Sequence, residues 1–174
     1  MSAPPEILLY GILGALLLIL YFVFASFYYG AGYQPTPRPI ASRMLDLAAI
    51  TPADVVYDLG AGTGALVFRA ARERGARAVG VEVEPLRILI LRLRRRFGPS
   101  PERVRIVWGD FFRLDFREAT VVLVFLWPDA MRRLAPRLAH ELPPGARVVS
   151  YWHPVPGWEP AVTDDQSRVY LYRR

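Results

Sequence analysis

The sequence lacks cysteine, lysine and asparagine altogether. Without cysteine the chain has no disulfide, no thiolate metal site and no cysteine nucleophile, which excludes the classes of protein that depend on them. Because lysine is absent, all 22 basic residues are arginine, and against 16 acidic residues they give a net charge of +6. The protein therefore cannot be modified on a lysine side chain of its own, and we expect no metal site.

The N-terminal part contains a long run without charge, Ile7–Tyr29, which is rich in Leu, Ile, Phe and Tyr. As a helix with a rise of about 1.5 Å per residue, the run would be about 34 Å long and could cross the core of a bilayer. A cleaved signal peptide has a basic start and a shorter apolar run, whereas Glu6 precedes this one. The run therefore predicts a single transmembrane helix.

The flanks of this run predict its orientation. No arginine precedes it, whereas Arg38 and Arg43 follow it. Basic residues collect on the cytoplasmic side of membrane helices, so we expect a single-pass protein of the cell membrane with its C-terminal part in the cytoplasm. Three tyrosines would lie at the interface: Tyr28, Tyr29 and Tyr33.

The rest of the chain alternates between strand-like and helix-like segments. Residues 30–39 are rich in Gly and Pro, so the predicted organisation is an anchor at 1–29, a linker at 30–39 and one domain at 40–174. Strands are predicted at Val55–Leu59, Ala78–Val83, Val104–Trp108, Thr120–Leu126, Arg147–Trp152 and Arg168–Tyr172. Helices are predicted at Ile40–Ile50, Ala65–Arg74, Pro85–Phe97 and Asp129–Leu142. This alternation predicts an α/β fold with a mostly parallel sheet.

The most informative motif is Asp58–Gly64, with the sequence DLGAGTG, between a predicted strand and a predicted helix. Glycines let the backbone approach a ligand closely because no Cβ intervenes. Glu82 ends the following strand, where an acidic side chain can accept the ribose hydroxyls of a nucleoside. The unit therefore predicts a site for a cofactor that contains a nucleoside.

The glycine spacing bears on the identity of that cofactor. Dinucleotide sites usually read G-x-G-x-x-G, with the pyrophosphate at the helix N-terminus, whereas this loop reads G-x-G-x-G with Asp58 just ahead. S-adenosylmethionine has no phosphate; its ammonium suits a carboxylate such as Asp58, and its carboxylate suits backbone N–H groups. The motif favours S-adenosylmethionine, with an NAD-type site and a tight turn without a ligand as the alternatives.

From about Thr36 to Arg174 the chain resembles the class I, seven-stranded S-adenosylmethionine-dependent methyltransferases. The resemblance is to the branch that contains archaeal protein-lysine methyltransferases and membrane-anchored mitochondrial lysine methyltransferases. The matching segments, in order, are residues 35–37 (PTP), 56–60 (VYDLG), 78–82 (AVGVE), 109–112 (GDFF), 119–122 (ATVV), 142–150 (LPPGARVVS), 157–158 (GW) and 169–172 (VYLY). The resemblance implies a Rossmann-like sheet of seven strands, the last antiparallel, with helices on both faces.

The same resemblance implies a set of cofactor-binding residues. These are Asp58, Gly60 and Gly62 at the methionine part, Glu82 at the ribose, Asp110 and Phe111 at the adenine, and Thr36 from the N-terminal side. The alternatives are a turn cap for Asp110, an ion pair with a surface arginine for Glu82 and a linker role for Thr36. Members of the branch often have Asp where this chain has Thr63, which weakens the lysine-specific assignment within the superfamily.

Class I enzymes place the methyl acceptor after the fourth and fifth strands, and four residues there are candidates for catalysis: Trp127, Asp129, Trp152 and His153. The two tryptophans would wall a cationic amine through cation–π contact. Asp129 would orient the amine, and His153 would accept its proton. The alternatives are core packing for the tryptophans, an N-cap for Asp129 and no role for His153.

A basic segment follows Glu82, with arginines at Arg87, Arg92, Arg94, Arg95 and Arg96. It predicts a solvated face or, beside a bilayer, a contact with anionic lipid; the predicted anchor argues against a nucleic-acid partner. We predict a membrane-anchored S-adenosylmethionine-dependent methyltransferase, and the family resemblance implies that it acts on lysines of membrane-associated proteins. The alternatives are a methyltransferase for lipid or other amines, and a non-catalytic cofactor-binding membrane module.

Overall fold

The computed structural model describes residues 4–28 and 34–174. The chain divides between Tyr33 and Gln34 into two units, and the first contains helix α1 (Pro5–Tyr28). The organisation that we predict from the sequence, with boundaries after residues 29 and 39, stays a prediction. Tyr29, Tyr33 and residues 30–32 of the predicted linker lie outside the described residues.

The prediction of a transmembrane helix at Ile7–Tyr29 is wrong. Within residues 4–28 and 34–174, no helix is both long enough and apolar enough to cross a membrane. The predicted localisation as a single-pass protein of the cell membrane is contradicted with it.

The second unit holds a seven-stranded sheet with helices on both faces. The strands are β1 (Val55–Leu59), β2 (Arg77–Glu82), β3 (Val104–Trp108), β4 (Val121–Val124), β5 (Arg147–Tyr151), β6 (Val162–Asp164) and β7 (Val169–Arg173). The helices are α2 (Arg38–Leu47), α3 (Val67–Arg74), α4 (Pro85–Phe97) and α5 (Pro128–Glu141), with short 3-10 turns at Pro101–Arg103 and Phe111–Arg113. The strand order is β3-β2-β1-β4-β5-β7-β6, and only β7 pairs antiparallel with its neighbours. The predicted Rossmann-like architecture is confirmed.

The central strands are apolar because helices cover both faces of the sheet. All residues of β1 and β4 are buried. On one face α2, α3 and α4 pack through side chains such as Met44, Ala70 and Leu91. On the other face α5 packs through Met131 and Leu134. Since each helix has one apolar face, the pattern in the sequence placed them correctly along the chain.

Some elements differ from those that the residue pattern predicts. Helix α3 starts two residues later than predicted, at Val67, because the glycine loop continues in turns up to Leu66. The strand β6 was not predicted from its own residues, because its sequence Val-Thr-Asp has no apolar alternation and its side chains are mostly exposed. The segment is a strand because it pairs antiparallel with β7, where Val162 lies opposite Leu171.

The parallel strands bring the candidate residues to one edge of the sheet. Their carboxyl ends are followed by the glycine loop after β1, Glu82 at the end of β2, Asp110 after β3, Trp127 after β4 and Trp152 after β5. The strand order reverses between β1 and β4, and ligands of such sheets bind in the crevice that opens at that point. The fold thus places the residues predicted for the cofactor over β1 to β3, hereafter the cofactor side, and those predicted for the acceptor over β4 and β5, hereafter the acceptor side.

Candidate active site

The glycine loop after β1 adopts backbone angles that glycine tolerates best. Three glycines have φ angles of 77°, 56° and 90°: Gly60, Gly62 and Gly64. Other residues rarely adopt this left-handed region, and at Gly64 a Cβ would also lie 2.5 Å from the ring of Phe68. The N–H groups of Gly60 and Ala61 donate to the carbonyl of Val81 at 3.0 and 2.9 Å. The loop is thereby tied to the end of β2.

Glu82, at the end of β2, is 5% exposed, and backbone N–H groups hold its carboxylate. Its Oε2 accepts the N–H of Gly62 at 2.8 Å. Its Oε1 accepts the N–H groups of Val83 and Glu84, both at 3.0 Å. A carboxylate offers about four lone-pair positions, so these three bonds leave one position on Oε2, beside the glycine loop. In this conformation, Glu82 can accept a hydrogen bond from one ribose hydroxyl. To accept a bond from a second hydroxyl, it would have to lose one of its hydrogen bonds to a backbone N–H group.

Asp58 is a second buried carboxylate at this loop, 4% exposed. Its Oδ2 accepts the N–H of Val67, the first residue of α3, at 3.1 Å. Burial raises the pKa of Asp58 to about 7; the Val67 hydrogen bond opposes this shift, and the charge of Glu82 adds to it. The structure therefore brings together the two carboxylates that the sequence placed in the cofactor site.

Two buried charged residues next to the loop were not recognised from the sequence. Glu84 caps α4, where its carboxylate accepts the N–H groups of Leu86 and Arg87 at 2.9 and 2.8 Å. The side chain of Arg87 is buried beside both Glu82 and Glu84. The signal was present in the sequence, because Arg87 falls on the same helical face as the apolar residues Ile88 and Leu91.

The predicted adenine contacts lie at the end of β3. Asp110 is exposed, and its Oδ1 accepts the N–H of Phe112 at 2.9 Å, so it caps the short turn that follows. Phe111 is half-buried, with its ring centroid 4.5 Å from that of Phe112. Thr36 is half-buried in the segment before α2, whose first residue accepts a 2.7 Å hydrogen bond from Arg69 of α3. The roles of these residues toward a cofactor stay predictions.

On the acceptor side, the residues after β4 and β5 meet through their rings. Trp127 is 53% exposed, and its ring centroid lies 5.9 Å from that of His153, with a tilt of 33°. Burial lowers the pKa of His153, which is therefore neutral at pH 7. Two residues that are far apart in the sequence thus form one surface, because β4 and β5 are parallel neighbours.

Trp152 and Asp129 complete the predicted acceptor residues. Trp152 is 44% exposed and has a φ angle of 71°, which is unusual for a residue other than glycine. The guanidinium of Arg168 lies 4.3 Å from its ring centroid. Asp129 is exposed in the first turn of α5 and pairs with Arg132, while Trp127 occupies the N-cap position. The alternatives of core packing for the tryptophans and an N-cap for Asp129 therefore do not hold.

Comparison with known proteins identifies the family. Residues 58–162 match the family described as the ANTKMT methyltransferase domain. The chain belongs to this family. A protein-lysine N-methyltransferase of Saccharolobus islandicus is 41% identical over 147 residues, which cover 80% of this chain and 91% of that protein. The adenine nucleotide translocase lysine N-methyltransferase of Mus musculus is 36% identical over 75% of this chain, which spans 57% of that relative's length.

A solved structure is similar over an equal share of the chain. It is an RNA methyltransferase from Salinibacter ruber in complex with S-adenosyl-L-homocysteine, with 41% identity and a TM-score of 0.76. The likeness covers 80% of this chain and 92% of that one. The protein is accordingly an S-adenosylmethionine-dependent methyltransferase of class I, and the alternative of a non-catalytic module is set aside.

The charges of the loop fit this cofactor and not a pyrophosphate. Asp58, Glu82 and Glu84 are 4%, 5% and 1% exposed, against one buried guanidinium, that of Arg87. An excess of buried carboxylates repels a pyrophosphate and attracts a cation. S-adenosylmethionine carries a sulfonium and an ammonium, which Asp58 and Glu82 would face when they hold its methionine and ribose parts. The NAD-type alternative is therefore disfavoured.

Four of the five arginines that the sequence assigns to one face of α4 are exposed: Arg92, Arg94, Arg95 and Arg96. Arg87 is buried, which removes it from that face. Arg94 donates to the carbonyl of Thr63 and lies over the ring of Phe68, 4.8 Å from its centroid. Arg95 donates to the carbonyl of Pro101 at 3.1 Å. Two of the exposed arginines thus also make contacts within the domain, and the predicted contact with a bilayer is not supported.

Proposed function

We propose that this methyltransferase modifies the side-chain amines of lysines in other proteins. The observation that carries the proposal is the exposed ring of Trp127, which follows β4 and lies 5.9 Å from the ring of His153 after β5; these two residues are hereafter called the aromatic mouth. An ammonium group is attracted to the faces of aromatic rings. Since the mouth is open at the surface, a side chain that belongs to another folded protein can reach it.

The residues of the aromatic mouth also suit the deprotonation that a lysine ammonium must undergo before it can attack. A lysine nitrogen attacks only in its neutral form, and partly apolar surroundings lower the pKa of an ammonium. His153 is neutral at pH 7 because burial lowers its pKa. It can therefore accept the proton directly or through a water molecule. Asp129 is paired with Arg132, so we assign it a lesser part in orienting the acceptor.

S-adenosylmethionine supplies an activated methyl group, because its sulfonium becomes a neutral thioether on transfer. As the methyl carbon bonds to the lysine nitrogen, positive charge develops on that nitrogen. The ring face of Trp127 stabilises this charge, and positioning of the two reactants contributes most of the remaining rate. Asp58, Glu82 and the glycine loop hold the donor at the adjacent strand ends.

The names of similar proteins support an amine acceptor but do not agree on the macromolecule. The archaeal and mouse relatives are named as lysine methyltransferases, whereas the Salinibacter ruber structure is named as an RNA methyltransferase. The aromatic mouth fits both a lysine ammonium and a flat base, so the macromolecule is the point that an experiment must settle.

The test is to follow a labelled methyl group. The purified protein is incubated with methyl-tritiated S-adenosylmethionine and a host extract, and protein, RNA and lipid fractions are separated. Label in protein that survives ribonuclease and is recovered as methyl-lysine after hydrolysis supports the proposal. Label that ribonuclease releases, or label in the lipid fraction, overturns it. Because this chain contains no lysine, methyl-lysine cannot come from its own side chains.

A matched control separates enzymatic from background labelling. Glu82→Gln keeps the shape of the side chain but removes the charge at the cofactor site, so label should fall with this variant. Glu118→Gln makes the same chemical change at an exposed position, and label should persist. Equal labelling by both variants would show that the label does not depend on this site.

A further inference from the structure

The arginine at the start of α4 differs from the other arginines of that helix. The side chain of Arg87 is 6% exposed, whereas positions 92, 94, 95 and 96 are all exposed. Burying a guanidinium has a high cost in free energy unless anions compensate it. A buried arginine in the first turn of a helix, next to the cofactor loop, therefore calls for an explanation in terms of its neighbours.

Two carboxylates flank the buried guanidinium. Its Nη1 lies 3.8 Å from Oε1 of Glu82, and its Nε lies 3.8 Å from Oε2 of Glu84. The carboxylate of Glu84 is fixed, because it caps α4 through the N–H groups of Leu86 and Arg87. Arg87 thus connects a fixed structural carboxylate with the carboxylate that faces the cofactor loop.

The two oxygens of Glu82 have different surroundings. Oε1 accepts the N–H groups of Val83 and Glu84 and lies next to the guanidinium of Arg87. Oε2 accepts the N–H of Gly62, in the glycine loop. The cation therefore lies beside Oε1, the oxygen that does not bond to the loop. Its electrostatic attraction adds to the two backbone hydrogen bonds of Oε1, and the remaining lone-pair position is on Oε2, the oxygen that bonds to the loop.

A permanent positive charge is needed here because the site concentrates negative charge. Asp58, Glu82 and Glu84 are each at most 5% exposed, and like charges in a buried site repel one another. A guanidinium stays charged at every pH that a protein experiences. The positive charge of Arg87 offsets part of this repulsion beside Glu82, so that less free energy is lost on ordering the Glu82 side chain during binding.

We propose that Arg87 is a positioning residue for the cofactor: it fixes Glu82 so that Oε2 is presented to the ribose of S-adenosylmethionine. This inference rests on the proposed role of Glu82 at the ribose, and it is independent of the identity of the methyl acceptor. Arg87 itself touches neither the methyl group nor the acceptor.

The first test compares three variants of the full chain by titration calorimetry with S-adenosylhomocysteine. Arg87→Met keeps the length of the side chain without its charge and is expected to weaken binding about tenfold. Arg87→Lys restores a cation and should recover affinity to within about threefold of the parent protein. Arg96→Met, an exposed arginine on the same helix, should leave affinity within about twofold. With saturating S-adenosylmethionine, kcat of Arg87→Met should stay within about twofold while its KM for the cofactor rises.

A double-mutant cycle distinguishes positioning from a general effect on the fold. In a Glu82→Gln background, Arg87→Met should weaken binding less than about threefold, because the carboxylate that it orients is no longer charged. A tenfold loss in both backgrounds overturns the proposal and makes Arg87 a fold-stabilising residue only. Should Arg87→Met fail to fold, the cycle is run with Arg87→Gln, which keeps a polar side chain without the charge, and equal losses in both backgrounds again overturn the proposal.

The results also separate this inference from the role of Glu82. If Glu82→Gln binds S-adenosylhomocysteine like the parent protein, the assignment of Glu82 to the ribose is wrong and the inference fails with it. If Glu82→Gln is weakened but Arg87→Met is not, Glu82 keeps its role and only the positioning by Arg87 is overturned.

Discussion

The cofactor side and the acceptor side of the same sheet edge are built in opposite ways. At the ends of β1 and β2, the predicted cofactor residues Asp58 and Glu82 are buried carboxylates whose oxygens accept hydrogen bonds from backbone N–H groups. Over β4 and β5, they are the exposed rings of Trp127 and Trp152. The carboxylates of the cofactor side are already buried and hydrogen-bonded within the domain. The tryptophan rings of the acceptor side are exposed and would be buried only when an acceptor binds.

This contrast follows from what each side has to bind. A small cofactor is always the same molecule, so a fixed set of buried groups can be matched to it and costs little ordering on binding. A protein acceptor brings its own surface, and rigid aromatic side chains offer contact area with little loss of side-chain entropy. Mutations on the cofactor side should therefore change cofactor affinity strongly, and those on the acceptor side should change the acceptor KM.

The largest effect is expected for Glu82→Gln. It removes a charge-assisted hydrogen bond to a ribose hydroxyl, and bonds of this kind contribute about 1.5–3 kcal/mol, so affinity for S-adenosylhomocysteine should fall about 10- to 100-fold. Calorimetry measures it, with Glu118→Gln as the control. Unchanged affinity would mean that the buried carboxylate serves only the loop.

The next effect concerns Asp58, whose folded-state pKa is raised from its ordinary 3.8 to about 7 by burial. Between these values the folded state holds a proton that the unfolded state has lost, so Asp58 lowers stability as the pH rises through this window. Asp58→Asn should remove that slope and stabilise the protein without ligand by about 1–2 kcal/mol at pH 8. Thermal unfolding at pH 5 and pH 8 measures it.

The same variant should weaken cofactor binding, because an amide cannot pair with the ammonium of S-adenosylmethionine as a carboxylate does. The affinity of the parent protein should rise between pH 6 and pH 8, as Asp58 loses its proton, and Asp58→Asn should lose this dependence. If Asp58→Asn is not more stable at pH 8, the pKa of Asp58 is not raised in the folded protein. If the variant also binds as tightly as the parent protein, Asp58 does not face the ligand.

A smaller effect is expected on the acceptor side. Trp127→Ala removes one ring of the aromatic mouth and should raise the acceptor KM about fivefold to tenfold, as loss of a cation–π contact of about 1 kcal/mol or more predicts. Cofactor affinity should stay within about twofold. Trp108→Ala is the matched control, since Trp108 is similarly exposed, at 58%, but lies at the end of β3. Equal effects of both variants on the acceptor KM would remove the distinction between the two sides.

The smallest effect is expected for Asp129→Asn. The side chain of Asp129 is 85% exposed and pairs with Arg132 within the first turn of α5, and such surface pairs contribute little. Steady-state kinetics should show a change in kcat of less than about threefold. A larger loss would bring Asp129 back to the centre of the acceptor site.

The extent to which the sequence predicted the site differs between the two sides for a physical reason. The glycine loop and Glu82 are local features, because a turn with left-handed glycines and an acid at a strand end can be read from consecutive residues. The contact between Trp127 and His153 joins two loops through a pairing of parallel strands, and no local pattern shows it. The burial of Arg87 could be predicted only in part. Its position in the helical repeat puts it on the apolar face of α4, but a charged residue is ordinarily expected to be exposed.

By itself, the sequence determined the alternation of helices and strands, the class of fold and the cofactor, because apolar periodicity and the glycine turn act over short distances along the chain. Tertiary structure alone decided the edge strand β6, the buried group formed by Glu82, Glu84 and Arg87, and the exposure of Trp127 and Trp152. These depend on which segments pack together, and burial and electrostatic interaction are properties of that packing.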